Sequence, residues 1–340
     1  MKSSLKNSSI LITGGTGSFG KSFIKRILKE NQDIGRLVIF SRDELKQSEM
    51  QEVYPSNKYP KIRFFIGDIR DLDRLKRAFN NIDYVIHAAA LKQVPTAEYN
   101  PTEFIKTNII GSQNIIEAAI DQKVKKVIAL STDKAASPIN LYGATKLCAD
   151  KLFIAANNYV GLNKLTFSVV RYGNVLGSRG SIIPNFLQNS KSGILNVTDQ
   201  RMTRFNITLD EAINMVMFAL KKSIGGEIYV PKIPSYRILD LAKSIGPNCK
   251  INLIGIRSGE KIHEEMISAS DSFNTIDIGK YFIILPTLNT KIISKYKKYF
   301  SVKKFKENSS YNSGTNPIFL TINEIRKLIK LNIDKNFKPF

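Results

Sequence analysis

The chain has 340 residues, enough for one large or two modest domains with ample core. Its 43% hydrophobic and 24% charged residues fit an ordinary globular protein, and no apolar run approaches the roughly 18 residues of a membrane span. The net charge of +22 raises nucleic acid or an anionic membrane surface as partners, but the lysines are spread along the whole chain without the aromatic interleaving of a nucleic-acid module, so no nucleic-acid partner is expected.

In chain order, basic residues precede a short apolar run, Ile10 to Thr13, that runs directly into Gly14 and Gly15. This is too short for a secretory segment and reads as a first strand. A helix pattern follows from Lys21 to Glu30, then strands at Arg36 to Phe40 and Ile62 to Ile66, a helix at Leu72 to Asn80 and a strand at Tyr84 to Ala88. A long helix is expected from Thr107 to Gln122, a strand at Val127 to Leu130, a helix from Leu141 to Asn157 and a strand at Phe167 to Val170. Continuous Val and Ile runs interleaved with helices predict an α/β, doubly wound fold. Its parallel sheet is covered on both faces, with ligands at the carboxyl ends of its strands.

After Tyr172 the rhythm breaks. Residues 173 to 203 are rich in Gly, Ser, Asn and Pro; a helix is expected from Asp210 to Lys221 and a strand from Glu227 to Val230 that returns to the sheet. Beyond Pro231 the patterns predict helices at Ile238 to Ile245 and Glu260 to Ser268, separated by Ile251 to Ile256, and a last helix from Thr321 to Leu331. The division expected is a nucleotide-binding domain over 1–175, with 205–230 returning to it, and a smaller lobe over 176–204 and 231–340. The segment Lys291 to Lys306 holds seven lysines and no acid, and reads as a solvated basic face. Cys148 and Cys249 are the only cysteines, so there is no disulfide framework and a reducing cytoplasm is expected.

Gly14, Gly17 and Gly20 lie between the first strand and first helix, where they permit a tight turn and close approach of a pyrophosphate to the helix N-terminus. The pattern predicts dinucleotide binding, although its spacing is G-x-x-G-x-x-G. Ser41 and Arg42, after the second strand, offer a hydroxyl and a guanidinium to a 2′-phosphate, which favours NADP; Asp43 keeps NAD open. Asp68 and Ile69 follow the third strand, where an adenine contact is expected, with a helix-cap role for Asp68 as the rival reading. His87 reads as a packed structural histidine, and Ala88 as one of the small residues over which a cofactor lies.

The stretch from Ser131 to Lys146, STDKAASPINLYGATK, carries the chemistry. Tyr-x-x-x-Lys occurs three times, at Tyr54/Lys58, Tyr142/Lys146 and Tyr299/Lys303, but only the middle copy follows an apolar strand and opens an amphipathic helix. On a helix Tyr142 and Lys146 share a face, where an ammonium lowers the pKa of a phenol and makes it a proton acceptor. No metal-ligand spacing is present; His263-Glu264-Glu265 is not H-E-x-x-H.

Together TGGTGSFG, SRDE, GDIRD, HAAA, STDK and YGATK resemble the extended short-chain dehydrogenase/reductase superfamily, and longer blocks such as ALSTDKAASPINLYGATKL, VVRYGNVLGSRGS and GIRSGEKIHE resemble its inverting UDP-N-acetylglucosamine 4,6-dehydratases. The resemblance runs from about Ser8 to Leu331 and implies a Rossmann domain with a substrate-binding lobe, acting in bacterial surface glycan synthesis of the pseudaminic acid type. Gln93 departs from it, since pseudaminic-type members tend to have His there.

The resemblance further implies a lyase that oxidises the sugar at C4 with NADP, eliminates water across C5 and C6, returns the hydride to C6 and inverts C5. It makes Tyr142 the acceptor of the C4 hydroxyl proton, Lys134 the base at C5, Asp133 the acid for the C6 hydroxyl and Thr132 their neighbour in the triad. Retaining relatives carry a carboxylate in place of Lys134, so Lys134 argues for inversion. As a base it is expected to have a depressed pKa. The cofactor set also takes in Thr16, Ser18, Phe19, Lys46, Lys92 and Lys146. For the substrate, UDP-N-acetylglucosamine, the resemblance implies Lys92, Thr132, Asp133, Asn174, Arg179, Gly180, Ser181, Ile182, Ile183, Arg204, Arg257 and Glu260. It implies a cytoplasmic homo-oligomer, a hexamer, with no integral membrane segment. The rival readings are a nucleotide-sugar 4-epimerase and a non-catalytic NADP-binding protein docking on a polyanion.

Overall fold

The first strand, β1 (Ser9–Thr13), buries Ile10, Leu11 and Ile12 completely. Burial of successive residues, whose side chains point to opposite faces, requires cover on both sides of the sheet. The computed structural model describes residues 5–31, 33–161, 164–178, 180–288 and 290–340. These form two compact units, each assembled from separated stretches. The first is Met1–Ser131, Ala144–Val170 and Ile213–Tyr229; the second is Thr132–Gly143, Arg171–Ala212 and Val230–Phe340. The segment 132–143, which the sequence division kept in the nucleotide-binding domain, groups with the second unit.

In the first unit β1 is followed by α1 (Ser18–Glu30), β2 (Arg36–Ser41), α2 (Glu44–Val53), β3 (Ile62–Ile66), α3 (Leu72–Phe79) and β4 (Tyr84–His87). Two short helices, α4 (Val94–Tyr99) and α5 (Pro101–Phe104), then lead through a π-helical turn at Ile105–Ile110 into α6 (Gly111–Asp121). Next come β5 (Lys126–Thr132), α7 (Leu141–Ala156) and β6 (Thr166–Tyr172). β1 pairs in parallel with β2 and β4, β2 with β3, and β4 with β5. The register sets Thr13 beside Phe40 on one side and His87 on the other, so the carboxyl ends of three strands lie together. α2 and α3 begin at Asp43 and Asp71, whose carboxylates accept from the N–H groups of Lys46 and Arg74.

The remaining elements are β7 (Asn174–Val175), α8 (Ile182–Asn189), β8 (Ile194–Val197), β9 (Thr203–Ile207), α9 (Leu209–Lys222), β10 (Ile228–Pro231), β11 (Ser235–Arg237), α10 (Ile238–Ile245), β12 (Lys250–Leu253), β13 (Glu265–Ile267) and α11 (Ala269–Ser272). The chain continues with β14 (Thr275–Asp277), β15 (Tyr281–Ile284), α12 (Thr290–Lys297), β16 (Lys303–Lys304), β17 (Tyr311–Asn312) and α13 (Ile322–Asn332). β10 returns to the first unit's sheet, where Ile228 and Tyr229 pair in parallel with Val169 and Val170 of β6. In the second unit β9 pairs with β7 and β11, and β8 with β12.

The helix expected over Glu260 to Ser268 does not form: Glu265–Ile267 is β13, paired antiparallel with β17. Pairing across 46 intervening residues, Glu265 with Asn312, overrides the local propensity. The helices around Ile238 and Ile322 form as expected, the latter with a capping box between Thr321 and Glu324. The second unit's core joins Phe186 and Ile183 of α8, Leu195 of β8, Leu241 and Ile245 of α10, and Ile325 and Ile329 of α13. Among the described residues no helix is long and apolar enough to cross a membrane. Because Phe186 is 1% exposed at the centre of this cluster, Phe186→Ala is expected to lower stability by about 3–5 kcal/mol in chemical denaturation. A loss below about 1 kcal/mol would show that the cluster does not hold this unit together.

Candidate active site

In the first unit the turn after β1 is shaped by glycine. Gly14 has φ +64°, and a Cβ there would lie 2.9 Å from the backbone N and Cα of Ala89. A Cβ on Gly20 would lie 2.4 Å from the carbonyl oxygen of Gly15. The N-cap of α1 is Gly17, which supplies no side-chain acceptor, so the first-turn N–H groups and the positive end of the helix dipole face outward for an anion. Ser18 and Phe19 form that first turn. Thr16 Oγ1 hydrogen-bonds Ser41 Oγ at 2.9 Å, so the Ser41 hydroxyl is already engaged and buried.

Arg42 is more exposed, 3.7 Å from Asp68 Oδ2. Asp43 is tied to its own helix, accepting from Lys46 N at 3.0 Å and pairing with the Lys46 ammonium, which holds its carboxyl below the usual range. Asp68 accepts from the backbone and guanidinium of Arg70. Burial raises its pKa, but these bonds outweigh that and lower it overall. The cap of α3 is Asp71, not Asp68. Ile69 is buried, Ala88 half-buried and Lys92 exposed.

Thr13 organises the strand ends. Its Oγ1 accepts from the N–H groups of Ala88 and Ala89 at 3.2 Å and bonds His87 Nδ1 at 2.9 Å. His87 packs on Phe153 and is brought down to about 3 by burial, reinforced by the charge of Lys146, so it is neutral. Lys146 is buried and its Nζ donates to Leu130 O at 2.8 Å. Burial lowers its pKa, opposed by Asp150. Of the three Tyr-x-x-x-Lys copies only Tyr142/Lys146 lies on a helix, one turn apart on α7. Tyr54 is the residue after α2, and Tyr299 lies beyond α12.

The second unit holds a cluster of charged groups around Lys134. Thr132 caps a single 3₁₀ turn, Asp133–Ala135, where its Oγ1 accepts from Lys134 N at 3.3 Å and donates to Asp133 Oδ1 at 3.0 Å. Asp133 is fully buried, and its Oδ2 has no hydrogen-bond partner. Lys134 Nζ lies 3.1 Å from Asp133 Oδ1, 3.1 Å from Glu264 Oε1 and 3.4 Å from Asn174 Oδ1. Burial alone would lower the pKa of Lys134, but the two carboxylates raise it well above its ordinary value. This reverses the depressed pKa expected of a base: burial and the nearby Arg204 are outweighed by the two anions within hydrogen-bond distance. Asp133 is pushed upward, by burial first and then by Glu264, against the pull of Lys134.

Arg204, on β9, is not a surface pair. Its Nε lies 3.6 Å from Glu264 Oε1 and its Nη1 donates to the carbonyls of Thr203 and Ile262. Arg257 and Glu260 pair with each other on an exposed loop, at 4.0 Å. That loop is tied to the 132–143 segment by Asn140 Nδ2 donating to Gly259 O at 2.8 Å and Lys261 Nζ to Ala136 O at 2.7 Å. Gly180, at φ +73°, and Ser181 lead into α8 with Ile182, whereas the side chain of Ile183 lies in the apolar core. Arg179 lies outside the described residues. Tyr142 is 8% exposed and, with burial itself, helps to raise the pKa of Tyr172.

Sequence reasoning missed two residues. Glu264 was set aside once its motif failed as a metal site, and nothing local marks it as a partner of Lys134. Asn108, in the π-helical turn, bonds both N–H and C=O of Leu91 at 2.9 Å and Thr145 Oγ1 at 3.0 Å, fixing the loop after β4 against α7. An interruption of helical geometry of this kind often accompanies a functional site.

Residues 10–286 match the family described as "Polysaccharide biosynthesis protein". The chain is 50% identical over 329 residues to the UDP-N-acetylglucosamine 4,6-dehydratase (inverting) of Campylobacter jejuni subsp. jejuni serotype O:2, covering 94% of this chain and 96% of that one. It is 41% identical over 329 residues to a UDP-glucose 4-epimerase of Rickettsia canadensis, covering 94% of each. Among solved structures it is similar to Pen from Bacillus thuringiensis, with a TM-score of 0.88 and 40% identity over 96% of this chain and 98% of that one.

His87 gives a pH test of the strand-end arrangement. The unfolded chain binds one more proton at this residue than the folded chain between the ordinary imidazole pKa and about 3. Its contribution to stability is therefore whole above about pH 6.5 and is lost as pH falls towards about 3. In that window the unfolding free energy is expected to fall by about 1.4 kcal/mol per pH unit from this residue. His87→Gln should flatten the measured slope by that amount, and an unchanged slope would refute the assignment.

Proposed function

This chain belongs to the family described as polysaccharide biosynthesis protein, and we propose from that membership that it is a C5-inverting UDP-N-acetylglucosamine 4,6-dehydratase working with NADP. The observation that carries the proposal is the Lys134–Asp133 pair, 3.1 Å apart, in a chain half identical to a relative named for that inverting activity. The glycine turn after β1 fits a dinucleotide, since Gly14 lets the turn close against the backbone of Ala89 and the start of α1 has no side-chain cap. Arg42, at the end of β2 and more than half exposed, supports a 2′-phosphate and hence NADP. Held there, the nicotinamide would supply the hydride chemistry, oxidising the sugar at C4 and reducing it at C6.

The residues then divide the proton transfers. Tyr142 accepts the C4 hydroxyl proton as the C4–H bond is broken, and the Lys146 ammonium favours the resulting phenolate. The new C4 ketone acidifies the C5 proton. Lys134 takes that proton, and Asp133 donates one to the C6 hydroxyl, which leaves as water while a double bond forms between C5 and C6. Once C6 has regained its hydride, a proton delivered to the opposite face of C5 inverts that centre.

The resting ion pair is one step from the working state. Moving a proton from Lys134 Nζ to Asp133 Oδ1 yields a neutral base and a neutral acid together, with no change in net charge. The raised pKa of Asp133 favours that transfer and the raised pKa of Lys134 opposes it. In the proposed assignment Thr132 orients Asp133; Asn174 holds Lys134; and Arg204, Arg257 and Glu260 serve the nucleotide-sugar. The pathway proposed is a bacterial surface glycan of the pseudaminic acid type, and the proposed assembly is a homo-hexamer.

The similarity to a 4-epimerase supports a second reading, and one experiment separates the two. Proton NMR of the protein with UDP-N-acetylglucosamine in deuterated water is expected to show a 4-keto-6-deoxy product of L-arabino configuration with deuterium at C5. A D-xylo product would remove the inversion, and a simple 4-epimer would replace the dehydratase with an epimerase. Lys134→Ala is expected to bind NADP normally yet lose dehydration by roughly 100-fold or more; normal turnover would remove Lys134 as the base. Arg42→Ala is expected to weaken NADP binding by about tenfold while leaving NAD binding unchanged. Equal effects on the two cofactors would remove the 2′-phosphate assignment.

A further inference from the structure

Glu264 has no task in the scheme above, yet it is 2% exposed and is held from several sides. It immediately precedes β13, whose partner β17 fixes the strand through Glu265 and Asn312. Its N–H donates to Ser313 Oγ at 2.9 Å, and Ser313 Oγ is 2.7 Å from Thr203 Oγ1. The carboxylate so placed meets Lys134 Nζ at 3.1 Å and Arg204 Nε at 3.6 Å, all through Oε1. Its other oxygen, Oε2, is buried without a hydrogen-bond partner.

We infer that Glu264 is the positioning residue of this site: it aims the Lys134 ammonium beside Asp133 and, by its charge, sets the pH at which Lys134 becomes a free amine. The groups facing Lys134 are Asp133 on its own turn, Glu264 before β13, Arg204 on β9, Lys261 on the loop before β13 and Tyr236 on β11, with the neutral Asn174 on β7. Of the two anions only Glu264 comes from outside the 132–143 segment. Removing its charge leaves Asp133 facing Lys134, Arg204 and Lys261, so the ammonium loses half of its compensation and releases its proton at lower pH. That Lys134 is the base rests on the dehydratase reading; the charge relation does not.

The test is competitive acetylation of the intact protein across about pH 7 to about pH 10, with Lys134 followed by peptide mass. Wild-type Lys134 is expected to react more slowly than surface lysines throughout, while E264Q is expected to raise its acetylation rate at each pH by roughly tenfold or more, as a midpoint lowered by about one pH unit requires. E264D, which keeps the charge on a shorter arm, should lie between them and serves alone if E264Q does not fold, since more reactivity than wild type is then still required. Wild-type Lys134 as reactive as surface lysines, or a folded E264Q or E264D as protected as wild type, would overturn the inference. In turnover of UDP-N-acetylglucosamine the acidic limb of the kcat profile should move the same way in E264Q, and an unmoved limb would also overturn it. If wild type forms no 4-keto-6-deoxy product, the dehydratase reading fails while the labelling still reads Glu264.

Discussion

Four charges meet in the second unit: the half-buried ammonium of Lys134 and guanidinium of Arg204, and the buried carboxylates of Asp133 and Glu264. Taking such groups out of water costs several kcal/mol each, and the attraction between them offsets this only when geometry and hydrogen bonds are good. Here the sum of charge is zero, and the remaining donors of Arg204 reach two backbone carbonyls. The local fold follows from keeping these groups together. The 3₁₀ turn presents Asp133 and Lys134, β9 supplies Arg204, and the pairing of β13 with β17 brings Glu264 to meet them. Bonds from Asn140 and Lys261 bind the turn to the loop that carries Arg257 and Glu260. The four charged groups are thereby held on one unit with little freedom to drift.

The first unit solves a different problem, that of ending several strands beside an anion. Thr13 bonds the N–H groups that follow β4, and the neutral His87 completes its hydroxyl. A charged imidazole in that place would be buried beside Lys146, and burial and charge both exclude it. Glycine at positions 14 and 20 lets backbone meet backbone where any side chain would intrude. Asn108, in the π-helical turn, holds Leu91 of the loop after β4 with both of its side-chain groups.

Inference from sequence succeeded where the signal is local. The strands at Ile10, Arg36, Ile62 and Tyr84 appear as expected because continuous apolar β-branched runs have no stable place outside a covered sheet. Helix α10 spans the predicted residues because its apolar period needs no distant partner to be recognised. The single helical Tyr-x-x-x-Lys copy was legible from the strand before it and the helix it opens. Where long-range pairing decides, sequence reading failed: Glu265–Ile267 is a strand because of Tyr311 and Asn312, and no local period announces that.

By itself the sequence determined the α/β order, the glycine turn, and the placing of Tyr142 and Lys146 one turn apart on a helix, because spacing along a strand, turn or helix defines which side chains share a face. Only the tertiary structure decided the charge state of the central lysine. An acid 130 residues further along the chain, Glu264, comes within 3.1 Å of Lys134 and turns an expected depressed pKa into a raised one. Electrostatic fields depend on distance in space and on exclusion of water, and neither can be read from distance along the chain.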